Sequence, residues 1–246
     1  MNILLIDTET SPNSAFVWGL WDQNIALSQL IESSELLCYA AKWYGDDIVM
    51  YSSKYYHPHK AMLQSLWDLL DAADVIVHFN GNKFDIPVIN REFLRYGFKP
   101  PSPSKQVDLY QVAKSKFRFA SNKLDYICQY LGLGKKNQTN FQLWVDCMNG
   151  DEKAWMQMEK YNKQDVVLLE KLYNRFKPWI TTHPNVGAYI GEHVCPNCGS
   201  RHLQRRGVAV TTTRQYQRYV CKDCGHWSRA VTSEKSNKAT LTHAVS

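Results

Sequence analysis

The 246-residue chain has no apolar run approaching a membrane span, so a transmembrane helix is not its organising feature. The N-terminus lacks the basic-then-apolar pattern of a secretory signal, and no internal repeat is visible. A soluble cytoplasmic protein with reduced thiols is the expectation, in the host cytoplasm if the source is viral, with no membrane partner. Wholesale disorder is excluded by a composition of 44% apolar and 21% charged residues. Acids are scarce at one end. From Cys195 onward nine Lys and Arg face only Asp223 and Glu234, a net +7, which leaves residues 1–194 at −1. That asymmetry points to a polyanion partner for the C-terminal piece, with a solvated basic tail as the alternative.

What is present begins with "NILLIDTETSP", four apolar residues running into Asp7 and Glu9. Residues 2–6 read as a buried strand, and 15–21, 36–44 and 47–52 as three more, with a hairpin turn at Gly45-Asp46. The spacing predicts a helix over 60–73, a strand over 75–79 and a helix over 85–97 closed by Gly97. "VDLYQVAK" and "NKLDYICQYLG" read as helices, the second capped by Ser121 and stopped by Gly132, and 151–176 as one or two more. Antiparallel strands followed by alternating helix and strand predict an α/β fold, a mixed sheet flanked by helices. The expected domains are 1–177, a linker over 178–193, a small β module over 194–231 and a flexible tail over 232–246.

Three acidic clusters stand out. Asp7 and Glu9 are two apart on a strand, so they share a face about 7 Å apart along the chain and repel unless a cation intervenes. A strand running out into an acidic turn is the plain alternative. Asp85 opens a helix after "HFNGNKF", where it would also complement the helix dipole. Tyr161 and Asp165 lie one turn apart on a face that continues into Leu168, Leu169 and Leu172. Burying a lone carboxylate there is costly, and an ion pair with a lysine is the alternative.

Asp-x-Glu at a strand end, Asn80 to Asp85 in "NGNKFD", and Tyr161-x-x-x-Asp165 resemble the three motifs of the DEDD 3′–5′ exonucleases. The order and spacing are similar to the tyrosine-bearing branch, which includes the proofreading domains of B-family DNA polymerases. Lys160 stands where the other branch has a histidine, and "NKLDYICQYLGLGKK" resembles the segment between the second and third motifs. The resemblance covers roughly residues 1–176. It implies a ribonuclease H-like fold and phosphodiester hydrolysis supported by two Mg²⁺ or Mn²⁺ ions. By the same resemblance Asp7 would serve both ions, Glu9 and Asp165 the side of the attacking water, and Asp85 the second ion. Tyr161 would position the water rather than take its proton. The implied substrate is single-stranded DNA 3′ ends. RNA exonuclease, structure-specific endonuclease and non-catalytic binding protein stay open, as does a separate polymerase or a replication or repair protein as partner.

Asn80 is a candidate strand contact, and Phe84 is expected in the core, with base stacking as the alternative. Asp108 reads as a helix cap or a support for the site. Lys114, Lys116, Arg118, Lys123, Lys135 and Lys136 interleave with Phe117 and Phe119, as a single-strand groove or a solvated surface would. Cys195/Cys198 and Cys221/Cys224 form two Cys-x2-Cys pairs, each followed by glycine, the pattern of a four-thiolate structural Zn²⁺ site. His202 and His226 are spare candidates. The module resembles a zinc ribbon, and alternation of Arg214, Tyr216 and Arg218 predicts two cations and an aromatic on one nucleic-acid-binding face. Cys38, Cys128 and Cys147 read as core thiols.

Overall fold

The computed structural model describes residues 1–233, and the Lys235 and Lys238 end of the expected tail lies outside them. The strands and helices run in the order β1 (Ile3–Thr10), β2 (Ser14–Ala15), β3 (Leu30–Glu32), β4 (Leu36–Trp43), β5 (Met50–Ser53) and α1 (His59–Asp71). Then come β6 (Val75–His78), α2 (Asp85–Arg95), β7 (Lys105–Asp108), α3 (Leu109–Lys116), α4 (Leu124–Tyr130) and α5 (Gln142–Met148). The long α6 (Glu152–Phe176) precedes α7 (Val186–Ile190), β8 (Leu203–Val210), β9 (Gln215–Cys221) and β10 (Trp227–Arg229). The chain divides into two compact units, Asn2–Tyr173 and a second beginning at Asn174. No helix among the described residues is long and apolar enough to cross a membrane.

The first unit is built on a five-stranded sheet of order β5-β4-β1-β6-β7. Central β1 runs antiparallel to β4 and parallel to β6, which is itself parallel to β7. Alternation along β1 divides its side chains between two layers. Leu4 and Ile6 join Met62, Leu63, Leu66 and Leu70 of α1 and Ile89 and Phe93 of α2 in one core. On the other face Leu37 and Cys38 pack with Leu143 and Cys147 of α5 and Ala154, Trp155 and Met158 of α6. Pairing of β1 with β6 stops at Leu5↔Val77, whereas pairing with β4 continues through Glu9↔Cys38 and, after a register shift, to Thr10↔Leu36. Asp7 and Glu9 therefore extend past the end of a parallel neighbour, where α/β sheets open a crevice.

Several elements differ from the sequence expectation: α5 is not anticipated, β5 begins at Met50 and not at residue 47, and two differences are larger. Of 15–21 only Ala15 is in a strand, and Phe16, Trp18, Leu20 and Trp21 stand exposed, with Trp18 fully so. Their apolar pattern reads as a strand, but β3 offers only three residues to pair with and no core reaches them. "VDLYQVAK" is not helical throughout. Val107 and Asp108 finish β7, and the Asp108 carboxylate accepts from Tyr110 N (3.0 Å) as the cap of α3. Ser121 Oγ accepts from Lys123 N (3.4 Å) ahead of α4, and Gly132 follows that helix in the left-handed region at φ 67°.

The second unit carries a three-stranded antiparallel sheet of order β10-β9-β8. Residues 177–193 contain a 3-10 turn (Lys177–Trp179) and α7. Buried Asn197 donates to the carbonyls of Lys177 (2.7 Å) and Ile180 (2.8 Å), and His226 Nδ1 lies 2.8 Å from Pro178 O. That turn is thus fastened to the cysteine loops.

Candidate active site

Side chains of β1 that point toward α6 carry the acids. Asp7, Glu9 and Asp165 bring one carboxylate oxygen each within 4.8 Å of one another. Asp165 is buried on the inward face of α6, with Leu168, Leu169 and Leu172 buried further along it. Asn162, also buried, donates its Nδ2 to Asp7 Oδ2 at 2.7 Å. Lys136, from the loop after α4, places Nζ 2.7 Å from Asp165 Oδ2 and 5.0 Å from the Tyr161 ring centroid. The ion pair weighed from sequence is present, and it lies inside the acid cluster.

Asp85 approaches from the α2 layer. Intervening Thr8 points to that side, and Asp85 Oδ1 accepts from Thr8 Oγ1 (2.6 Å) and Thr8 N (3.1 Å). The loop ahead of Asp85 is fixed residue by residue. Asn80 sits at φ 65°, a conformation asparagine tolerates, and its N–H donates to Asp108 Oδ1 at 2.8 Å. Gly81 donates to His78 Nδ1 at 3.0 Å, and a Cβ there would meet the His78 ring at 2.5 Å. With Nδ1 accepting, His78 Nε2 donates to Gln106 Oε1 (3.0 Å), a neutral tautomer that burial favours by pulling the imidazole pKa down. Asp108 thus both caps α3 and supports the Asn80 turn.

Phe84 is a correction to the core expectation, since it is 57% exposed with Lys83 Nζ 5.4 Å from its ring. Helix α2 buries Ile89, Glu92 and Phe93. Asp85 lies one turn before Ile89 on that face, so Phe84 is turned outward by about 100°. Lys123 precedes α4 with an exposed side chain and makes no ion pair among the described residues. Lys136, Asn162 and Thr8 are the site residues that sequence reasoning missed. Lys136 was visible only as one of a basic run, and Asn162 only as the residue after Tyr161.

Electrostatics follow from crowding acids out of water. Burial first, then Asp165, Glu9 and Asp85, push the Asp7 carboxyl well above the usual range, with Lys136 opposing. Glu9 is raised to about 8, again by burial first, with Lys136 the largest counterweight. Asp85 and Asp165 are also raised by burial, tempered by Thr8 and Lys136 respectively. Tyr161 rises to about 12 through burial and Asp165. Burial opposes the charge on Lys136, yet Asp165, Asp7 and Tyr161 raise its pKa on balance. A nest of oxygens that resists ionisation, with Asp165 Oδ1 buried and unpartnered, suits hard divalent cations.

The model of the RNase_H superfamily matches residues 4–177. The chain belongs to the RNase_H superfamily. No curated protein matches it. Among solved structures, it is similar to the family B DNA polymerase of the hyperthermophilic archaeon Pyrobaculum calidifontis, at a TM-score of 0.57 and 16% identity. That likeness covers 72% of this chain and 25% of the polymerase, so the chain spans a fraction of the polymerase's length and the likeness bears on fold alone. In this RNase_H superfamily member the acids sit at the open end of the central strand of a mixed α/β sheet.

The second unit gathers Cys195, Cys198, Cys221 and Cys224 with their sulfurs all within 4.8 Å. The Cys195–Cys224 and Cys198–Cys221 sulfurs stand 3.7 and 3.6 Å apart, far beyond a disulfide. Four sulfurs about 2.3 Å from a central zinc would be about 3.8 Å from one another, so the residues fit that ion. Gly199 (φ 75°) donates to Cys195 O and Gly225 (φ 81°) to Cys221 O, closing each loop in the left-handed region that favours glycine. Backbone N–H groups of Cys224 and Asp223 overcome burial and bring Cys221 down to about 7. His202 is engaged with Asp223 and His226 with Pro178, leaving the cysteines as the donor set. Tyr216 and Arg218 lie two apart on β9, while Arg214 belongs to the turn ahead of it, its N–H donating to Thr211 Oγ1.

Proposed function

We propose that this protein is a metal-dependent 3′–5′ exonuclease acting on single-stranded 3′ ends of DNA, with a zinc ribbon that grips the nucleic acid. The observation carrying this reading is the convergence of Asp7, Glu9 and Asp165 within 4.8 Å, with Asp85 held on the intervening Thr8. A separate polymerase, or a replication or repair protein, would be the partner of such an enzyme.

Asp7, Glu9, Asp85 and Asp165 would hold two Mg²⁺ or Mn²⁺ ions, which supply acidity to the attacking water and positive charge to the leaving 3′ oxygen. The chain's own groups do the rest. Asn162 fixes the rotamer of Asp7 through its 2.7 Å bond, and Thr8 fixes that of Asp85. Tyr161 keeps its proton at neutral pH, so it orients the water by hydrogen bonding and does not deprotonate it. Lys136 holds the charge of Asp165 and supplies a cation inside the acid cluster. Exposed Phe84, adjacent to Asp85, offers a ring to a terminal base. Asn80 contributes through its turn, and Lys123 through phosphate contact.

The test supplies 5′-labelled single-stranded DNA and Mg²⁺ to the whole protein. A ladder shortening from the 3′ end is expected, and its loss in Asp7→Ala and Asp165→Ala. Intact substrate with wild type, or equal cutting by the variants, refutes the reading. A matched RNA strand and a branched duplex run in parallel separate it from RNA exonuclease and structure-specific endonuclease activity on the same acids.

A further inference from the structure

The three-stranded sheet of the second unit has two unlike faces. On β9, Tyr219 and Cys221 are buried, and Tyr219 packs edge-on against His193. The alternate residues Tyr216 and Arg218 point the other way. Register places Trp227 opposite Val220 and Arg229 opposite Arg218, so β10 adds both to that outward face. There the cations and rings are interleaved. Arg218 lies 4.8 Å and Arg206 5.7 Å from the Trp227 ring, and Arg229 lies 4.0 Å from that of Tyr216.

A deliberate backbone feature aims Arg206. The β8–β9 register shifts between Arg205 and Val208, with Gly207 at φ 67° inside the bulge. Bulges of this kind re-aim a side chain, and the Arg206 carbonyl at the bulge accepts from Arg218 Nε at 3.1 Å. The arginines are therefore organised around an indole and not merely scattered in solvent. No carboxylate among the described residues pairs with Arg206, Arg218 or Arg229. Among the described acids of this unit, Glu192 is engaged with Arg201 and Asp223 with Ser200 and His202, while Glu234 lies outside the described residues. Trp227 remains 45% exposed.

We infer that this face, Arg206–Trp227–Arg218 with Arg229–Tyr216, binds single-stranded nucleic acid, its guanidiniums meeting phosphates and its rings stacking on unpaired bases. The inference deepens the reading of the ribbon as a nucleic-acid grip and rests on it, but it does not depend on the acids of the first unit. Unpaired guanidiniums call for an anion, and exposed rings between them call for a flat apolar partner at the spacing of a base beside its phosphate. A duplex hides its base faces, and an acidic protein surface offers none.

The experiment measures fluorescence anisotropy of labelled oligo-dT, of about 12 nucleotides, with zinc-loaded full-length protein in buffer free of Mg²⁺ and Mn²⁺. Trp227→Ala is expected to weaken binding about tenfold, and Trp227→Phe, which keeps a stacking ring, to recover most of it. Arg206→Ala with Arg218→Ala is expected to flatten the plot of log affinity against log salt by about 1.4. An abasic polymer of equal length and a blunt duplex are expected to bind more weakly than oligo-dT. The inference is overturned if the zinc-replete variants bind like wild type, if Trp227→Phe recovers nothing, or if the abasic polymer binds equally well. Preference for an acidic peptide over oligo-dT overturns it too. Hydrolysis of p-nitrophenyl thymidine 5′-monophosphate, too small to span a sheet face, measured separately with Mn²⁺ added, reports on the acids alone. Its absence in wild type would sink the exonuclease reading and leave the binding result standing.

Discussion

Replacing Glu9 by glutamine should stabilise the protein while destroying its activity. The wild-type carboxyl is raised from its ordinary 4.5 to about 8, chiefly by burial and then by Asp165 and Asp85, against the pull of Lys136. A folded-state pKa above the unfolded one means that the native protein holds this proton more tightly. Stability is then full below about pH 4.5 and declines as pH rises to about 8. Spanning 4.5 to 8 at about 1.36 kcal/mol per pH unit sets a ceiling of about 5 kcal/mol. Proton sharing among Asp7, Asp85 and Asp165 brings the expected effect to roughly 2–5 kcal/mol. Glu9→Gln keeps the shape and removes the charge. Urea unfolding by circular dichroism, in buffer depleted of divalent cations but with zinc retained, should give similar stabilities at pH 4.5. At pH 8.5 the variant should be the more stable. Adding Mn²⁺ should stabilise wild type at pH 8.5 far more than the variant. Parallel pH profiles for the two proteins, or no response to Mn²⁺, would refute the account of the site as a nest of unwillingly ionised acids.

Other outcomes follow from the same contacts. Asn162→Ala removes the 2.7 Å donor to Asp7 and should lower Mn²⁺ affinity about 10- to 100-fold by titration calorimetry, with the fold retained. Lys136→Met leaves Asp165 buried without its cation and should cost the divalent-free protein about 3–5 kcal/mol, most of it restored by Mn²⁺. Phe84→Ala, at an exposed position, should change stability by less than about 0.5 kcal/mol yet raise the KM for oligonucleotides severalfold; an unchanged KM would remove Phe84 from the site. Cys224→Ser should lower bound zinc from one equivalent toward none and open residues 194–231 to trypsin, as metal binding supplies the folding free energy of so small a module.

The sequence was most legible where one periodicity had one explanation. Met62, Leu63, Leu66 and Leu70 recur at helical spacing because one face of α1 meets the sheet, and the apolar run 75–77 is unbroken because β6 is buried on both sides. Residues 15–21 carry an equally apolar pattern, yet their rings find no core, since pattern reports the tendency to be buried and not a partner to be buried by. Helix α5 is too short to show a period in the sequence, although Leu143 and Cys147, one turn apart, bury themselves against α6. At the site, the acids were readable because their spacing is fixed by a strand and two helices. Lys136 was not, because a loop lysine enters an acid cluster only through the fold.

Lys136 also explains how such a cluster can fold at all. Asp7, Glu9, Asp85 and Asp165 together carry four negative charges when ionised; burial raises each proton affinity, and repulsion from the other acids of the site adds to it at Asp7 and Glu9. One ammonium at 2.7 Å from Asp165 offsets a single charge and leaves a deficit of three. A second lysine would lower that deficit to two and weaken the pull on cations, whereas none would leave Asp165 buried and unpaired on an apolar helix face. With Lys136 opposing burial and repulsion, Asp7 and Glu9 still hold their protons more tightly than free carboxyls, so divalent ions bound there would displace protons as well as meet charge. The strength of cation binding and the instability of the cation-free site are thus linked, because the burial that raises these acids disfavours their charge until cations meet it.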